Sequence, residues 1–147
     1  MCEEILTGLL FWPRHAYSAV MAIQREITVK LANSPGALAR VAQVLGAERI
    51  NMLALAVDPS GALRLVVDNP LHAASLLREQ HYQVDERDVL YTTMPNEPGA
   101  LGRALKTLAD SGINVDYAYA SGIDRLPLVG VVIGVPDASK ASYATGM

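Results

Sequence analysis

Two short stretches of this sequence carry residue types suited to holding a small polar ligand. Asn33-Ser34-Pro35-Gly36-Ala37-Leu38 returns as Asn96-Glu97-Pro98-Gly99-Ala100-Leu101, an offset of 96 − 33 = 63 residues. A helix opening at such a stretch presents unpaired N–H groups and a partial positive charge, which favour a carboxylate. Glycine at 36 and 99 lets a ligand approach the backbone closely. Asn51 and Asn114 follow each helix and are placed to reach back toward the same mouth. Asp116, two residues beyond Asn114, leaves the same strand face, where a carboxylate suits a ligand ammonium. Copy one has Leu53 at that place, so the two sites are not equivalent. The plainer alternative stays open: Pro-Gly shapes a turn, each Asn caps backbone, and Asp116 is solvated. Tyr117 and Tyr119 lie opposite Asp116 and suit packing or an interface.

Residues for catalysis are not assembled. His15, His72 and His81 have no second ligand at zinc-like spacing, so no metal site is expected. Ser18, Ser75 and Ser139 lack nucleophile-elbow glycines. Gly99 to Gly102 is not followed by Gly-Lys-Ser/Thr and is no phosphate loop. The expectation is a protein that is not an enzyme and needs no cofactor.

The elements that position these residues follow from the repeat. The same offset of 63 pairs Arg40 with Arg103, Leu45 with Leu108, Ile50 with Ile113 and Asn51 with Asn114. Each copy opens on a strand pattern: Ile27, Val29 and Leu31 alternate with polar or small residues, and Val89 to Met94 follows suit. A helix comes next, with Pro35 and Pro98 in its first turn and Asn33 and Asn96 as caps. Apolar residues at 38, 41, 42 and 45 recur at 101, 104, 105 and 108, one buried stripe per helix. Gly46 and Gly112 mark the helix ends. A strand over 50–57, a turn at Asp58-Pro59-Ser60-Gly61 and a strand over 63–67 are predicted, then a helix from Asn69-Pro70 and a short strand at Tyr82 to Val84. This order is β-α-β-β-α-β, a split βαβ unit.

In copy two, Val67 corresponds to Val135, so five extra residues lie in the turn around Gly122 to Pro127. Copy two runs out inside its second helix and lacks the last strand. The linker is only Asp85 to Asp88. The domains read as 1–24, an N-terminal extension; 25–86, the first module; and 87–147, the second. The extension is either loosely held, disordered or a mis-called start, with Met21 as a second start, or a helix or strand that caps the body. Without a fourth strand, Val89 to Met94 should present an open edge. Either the extension or a second chain would cover it; the second chain is the favoured cover, giving a homodimer.

The quoted motifs resemble the ACT domain family: a strand, Asn-x-Pro-Gly-x-Leu opening a helix, then Ile-Asn entering the next strand. Both copies show this, at Asn33 to Leu38 with Ile50-Asn51 and at Asn96 to Leu101 with Ile113-Asn114. Asp116-Tyr117-Ala118-Tyr119 further resembles stand-alone tandem ACT proteins. The resemblance implies an α+β fold of two tandem ferredoxin-like modules packed side by side. It also implies regulatory amino-acid binding by the strand-one to helix-one loops. The candidate ligand residues are thus Asn33, Pro35, Gly36, Ala37, Leu38 and Asn51 in copy one, and Asn96, Pro98, Gly99, Ala100, Leu101, Asn114 and Asp116 in copy two. A competing implication is an interaction module or regulatory subunit acting in trans on an amino-acid biosynthetic enzyme, with a degenerate pocket.

Composition agrees with a folded, non-catalytic binder. Hydrophobic residues make up 51% of the chain, which suits a globule rather than disorder. The net charge of −3, without a basic run, argues against nucleic acid. No apolar run suggests a membrane span, and Glu3 and Glu4 stand where a signal peptide would be basic. Cys2, the one cysteine, makes no internal disulfide, which points to the cytoplasm.

Overall fold

The alternation of Ile27, Val29 and Leu31 belongs to a strand longer than its apolar residues suggest. In the computed structural model, which describes residues 20–122 and 124–145, β1 runs Val20–Lys30. There follow α1 (Ala37–Ala47), β2 (Met52–Val57), β3 (Ala62–Val67), α2 (Pro70–Glu79) and β4 (Val84–Pro95). The second repeat adds α3 (Ala100–Asp110), β5 (Tyr117–Ser121), β6 (Leu128–Gly134) and α4 (Ala138–Ala144). The α+β class and the ferredoxin-like order of each module are those expected. The chain divides into two compact units: Gln24–Val89, and Leu90 onward together with the start of β1 up to Ile23.

In the first unit the strand order is β2-β3-β1 followed by the start of β4. Ile27 and Leu55 both pair with Leu65 of β3, so β3 is central. Lys30 N donates to Gln83 O at 3.3 Å and Arg25 pairs with Asp88 at 3.0 Å, so β4 runs antiparallel to β1. One sheet face carries Ile27, Val29, Leu63 and Leu65. Onto it α1 packs Val41 and Leu45, and α2 packs Ala73 and Leu77, each pair four residues apart on one helical stripe. Each fully buried Leu or Val contributes about 1.5–3 kcal/mol.

In the second unit β6 lies between β4 and β5, with Leu90 opposite Ile133 and Tyr117 opposite Gly134. Leu90, Met94, Val131 and Ile133 form its core with Ala104 and Leu108 of α3 and Ala141 of α4. Met21 joins that core at 1% exposure, and Ser142 Oγ donates to Met21 O at 3.4 Å.

Three expectations are corrected here. The closing strand expected at Tyr82–Val84 and the opening strand at Val89–Met94 merge into the single strand Val84–Pro95, and the supposed linker Asp85–Asp88 lies within its first half. Its charges look like a linker, but Arg25 and Arg78 hold Glu86 and Asp88 against the sheet. The edge of β4 in the second unit is not open, because the start of β1 lies beside it. Among the described residues no strand follows α4, and Val20–Ile23 takes the missing strand's place. The extension expected over residues 1–24 otherwise lies outside the described residues. Finally, Gly46 does not end its helix: it lies inside α1, and Arg49 adopts the left-handed conformation at φ 57°.

Candidate functional site

The repeated Asn-x-Pro-Gly-Ala-Leu stretch folds as a tight turn leading into a helix. Ala37 N donates to Ser34 O at 3.3 Å, and Gly36 has φ 84° and ψ −7°. Ala100 N donates to Glu97 O at 3.3 Å, and Gly99 has φ 88° and ψ −12°. Proline at the second and positive-φ glycine at the third position define a type II turn. Gly36 and Gly99 are the N-caps, with no side-chain cap bond. Asn33 and Asn96 therefore do not cap, and the prolines precede the cap rather than entering the first helical turn. Both loops lie exposed, and among the described residues no side chain caps the first turn of α1 or α3.

The two loops differ in how far their polar groups are already used. Asn96 Nδ2 donates to Leu126 O at 3.1 Å and Asp124 O at 3.4 Å, tying its loop to the β5–β6 turn. Arg103 Nη2 donates to Glu97 Oε1 at 3.1 Å. Asn114 Nδ2 donates to Asp116 Oδ1 at 3.2 Å, so these two candidates are bound to each other, but at the far end of β6 from the loop, where Asp116 N donates to Gly134 O, and neither reaches the mouth. In copy one Ser34 replaces Glu97. Among the described residues, the side chains of Asn33, Arg40 and Asn51 have no hydrogen-bond partner. Asn51 does not reach back to the mouth: it is fixed through its backbone at the far end of β3, with N to Asp68 Oδ1 and O to Asp68 N, both at 3.1 Å, beyond the C-terminal end of α1. Ala37 and Leu38 open α1, as Ala100 and Leu101 open α3. Leu38 and Leu101 remain 36% and 43% exposed at the loop mouths.

Sequence reasoning missed Arg40 as a candidate, although its repeat partner was visible. It also missed the ion-pair cluster of Arg25, Arg78, Glu86 and Asp88, because sequence separation hides which strand residues face one helix. A cleft of about 530 Å³ runs beside that cluster, lined by Leu71, Ala74, Ser75, Arg78, Glu79 and Glu86. On the β2–β3 turn, the Ser60 hydroxyl donates to Asp58, and this with the Ser60 and Ala62 N–H groups and Arg64 lowers the Asp58 pKa from its ordinary 3.8. Among the described residues no group of His, Cys, Asp and Glu is placed to hold a metal ion. Nor is any helix among them long and apolar enough to cross a membrane.

Residues 21–138 match the family described as an ACT domain pair. The chain belongs to that family. This paired ACT protein is similar to protein BT0572 from Bacteroides thetaiotaomicron, at 31% identity and TM-score 0.75, covering 86% of this chain and 87% of that one. The fold is shared with the regulatory subunit of aspartate kinase from Thermus thermophilus, in its ligand-free form, at 17% identity and TM-score 0.65, covering 88% and 92% of the two chains. It is shared also with aspartokinase alpha and beta subunits, at 18% identity and TM-score 0.62, covering 84% and 93%. No curated protein matches.

Proposed function

We propose that this paired ACT protein is a non-catalytic, cytoplasmic regulator that binds an amino acid beside the loop of its first module. The observation that carries this reading is the asymmetry of the repeats. Asn33 and Arg40 are uncommitted at the first loop, whereas their partners Asn96 and Arg103 are bonded internally. An uncommitted guanidinium and an amide beside an open helix N-terminus suit an anionic or hydrogen-bonding group of such a ligand. The second loop acts as scaffold, a degenerate copy. With only a loop to offer, the protein exerts its effect on a partner, in keeping with its fold likeness to a kinase regulatory subunit.

Self-association is part of the proposal. β2 pairs only with β3 in its unit, bears no charge, and leaves Leu53, Leu55 and Val57 38–48% exposed. Such an edge is a template for pairing, and a homodimer through β2, in place of β4, is the cover proposed.

A thermal-shift series with the twenty amino acids tests the binding. One of them at a hundredfold its Kd should add about 2.7 kcal/mol of stability. If none raises the melting temperature, the reading fails.

A further inference from the structure

The two repeats differ on the sheet face turned away from the helices. In the first unit, Thr28 and Lys30 of β1 stand opposite Arg64 and Ala62 of β3. In the second, Tyr91 and Thr93 of β4 stand opposite Val132 and Gly130 of β6, the same places in the repeat. The Tyr91 ring lies over Gly130 so closely that a Cβ there would meet its Cζ at 2.9 Å. Copy two has thus filled this hollow with its own aromatic ring. Copy one has the short Thr28 instead and keeps a cleft of about 300 Å³, lined by Thr28, Lys30, Ser60, Ala62, Gln83 and Asp85. That volume is at the lower end for small-ligand sites.

The lining has a definite chemistry. Lys30 and Asp85 are of opposite charge, and among the described residues neither side chain has an ion-pair partner. Arg64 is engaged with Asp58 at 3.5 Å. The Ser60 hydroxyl donates to Asp58, which fixes its lone pairs as acceptors, and Gln83 supplies an amide. A cleft with one cation, one carboxylate and neutral donors and acceptors between them complements a small zwitterion.

We propose that this cleft seats the charged ends of an α-amino acid, its carboxylate at Lys30 and its ammonium at Asp85. The cleft adjoins the first loop, since Leu31 N donates to Gly61 O at 2.7 Å between the end of β1 and the β2–β3 turn. The inference rests on the amino-acid-binding reading above and says where that ligand is held.

The test is calorimetric titration of the whole chain with whichever of the twenty amino acids shifts its melting temperature. Thr28→Tyr copies the ring that closes the hollow in the second repeat, and should abolish binding in a folded protein. Lys30→Thr and Asp85→Asn each remove one charge-assisted contact, and each should weaken binding about tenfold or more. Lys30→Thr should spare amine ligands without a carboxylate, and Asp85→Asn should spare carboxylates without an amine. Wild-type affinity in all three variants overturns the cleft and leaves the amino-acid reading standing. No response of the wild type to any amino acid overturns both. If Thr28→Tyr does not fold, the two charge variants decide.

Discussion

Arg103 is bonded to Glu97 at 3.1 Å across the turn that opens α3, whereas the copy that holds its repeat partner Arg40 has Ser34 in the place of Glu97. The pair is a surface one, with the arginine side chain 65% and the glutamate 31% exposed. A double-mutant cycle of Glu97→Ala and Arg103→Ala should give a coupling of about 0.2–1 kcal/mol, reduced in high salt. Arg40→Ala should leave stability within about 0.5 kcal/mol. A coupling near zero at low salt would mean that the bond does not hold the second loop.

Arg49 is the position where a substitution should stabilise. It stands just past α1 at φ 57°, where Arg49 N donates to Gly46 O and Ile50 N to Leu45 O. This is the Schellman closure, with the Ile50 and Leu45 side chains meeting in the core. α3 closes identically with Gly112 at φ 72°. The left-handed conformation costs a non-glycine residue about 1 kcal/mol or more. Arg49→Gly should therefore raise the denaturant midpoint by about 0.5–1 kcal/mol of stability with an unchanged m-value. A fall would show that the arginine side chain holds something the backbone does not require.

Much of this architecture could be read from residue order, and the failures have a common cause. Asn-x-Pro-Gly-x-Leu and the apolar stripes placed α1 and α3, because helices and turns are encoded by near neighbours. The helix start lies three residues later than the asparagines suggest: the type II turn claims the glycine as cap, and Asn96 spends its amide on Leu126 instead. β4 was cut in two because Asp85 to Asp88 looks solvated until Arg25 and Arg78, distant in sequence, are seen beside it. The uncommitted groups of the first loop and the open hollow at Thr28 depend on what does not touch them. No local pattern reports that.

Thr92 offers a second route to stability. Its hydroxyl is fully buried on β4 and has no hydrogen-bond partner among the described residues, on a strand whose neighbours Leu90 and Met94 are core residues. A buried unsatisfied hydroxyl carries a desolvation penalty of about 1–3 kcal/mol. Thr92→Val keeps the shape, so thermal unfolding should move up by several degrees, about 1 kcal/mol. Loss of stability would show that the hydroxyl serves the fold in some other way.

The β2–β3 turn should make stability depend on acid. Asp58 accepts from Ser60 Oγ, from Ser60 N at 2.9 Å and from Ala62 N at 3.4 Å, which lowers its pKa from 3.8. A carboxyl lowered by folding stabilises the native state above its unfolded pKa, and that contribution is lost as pH falls through the folded value. Between pH 7 and 5 the advantage of wild type over Asp58→Asn should be constant. Below about pH 4 it should shrink, because the unfolded wild type takes up a proton the folded form resists. Parallel melts of the two proteins from pH 7 to 2.5 measure this. A gap independent of pH would show that the turn does not discriminate between the two protonation states.

Met21 ties the start of β1 to the second module, and this sets the last prediction. Its side chain is 1% exposed among Leu90, Met94, Leu108 and Ile133, and its carbonyl accepts from Ser142 Oγ. Removing a fully buried methionine side chain leaves a cavity and costs about 2–5 kcal/mol. Met21→Ala should be among the most destabilising single changes in the protein, whereas Ile23→Ala, at a 41% exposed position two residues along the strand, should cost little. Deleting residues 1–23 goes further, because it strips β1 from the edge of β4 and leaves unpaired N–H and C=O groups there. The truncated protein should melt early and associate through that edge, seen by light scattering as mass added to the state of the intact chain. A truncated chain with the same melting temperature and the same mass would show that β4 needs no strand at this edge, and that Met21 is carried by the second unit without supporting it.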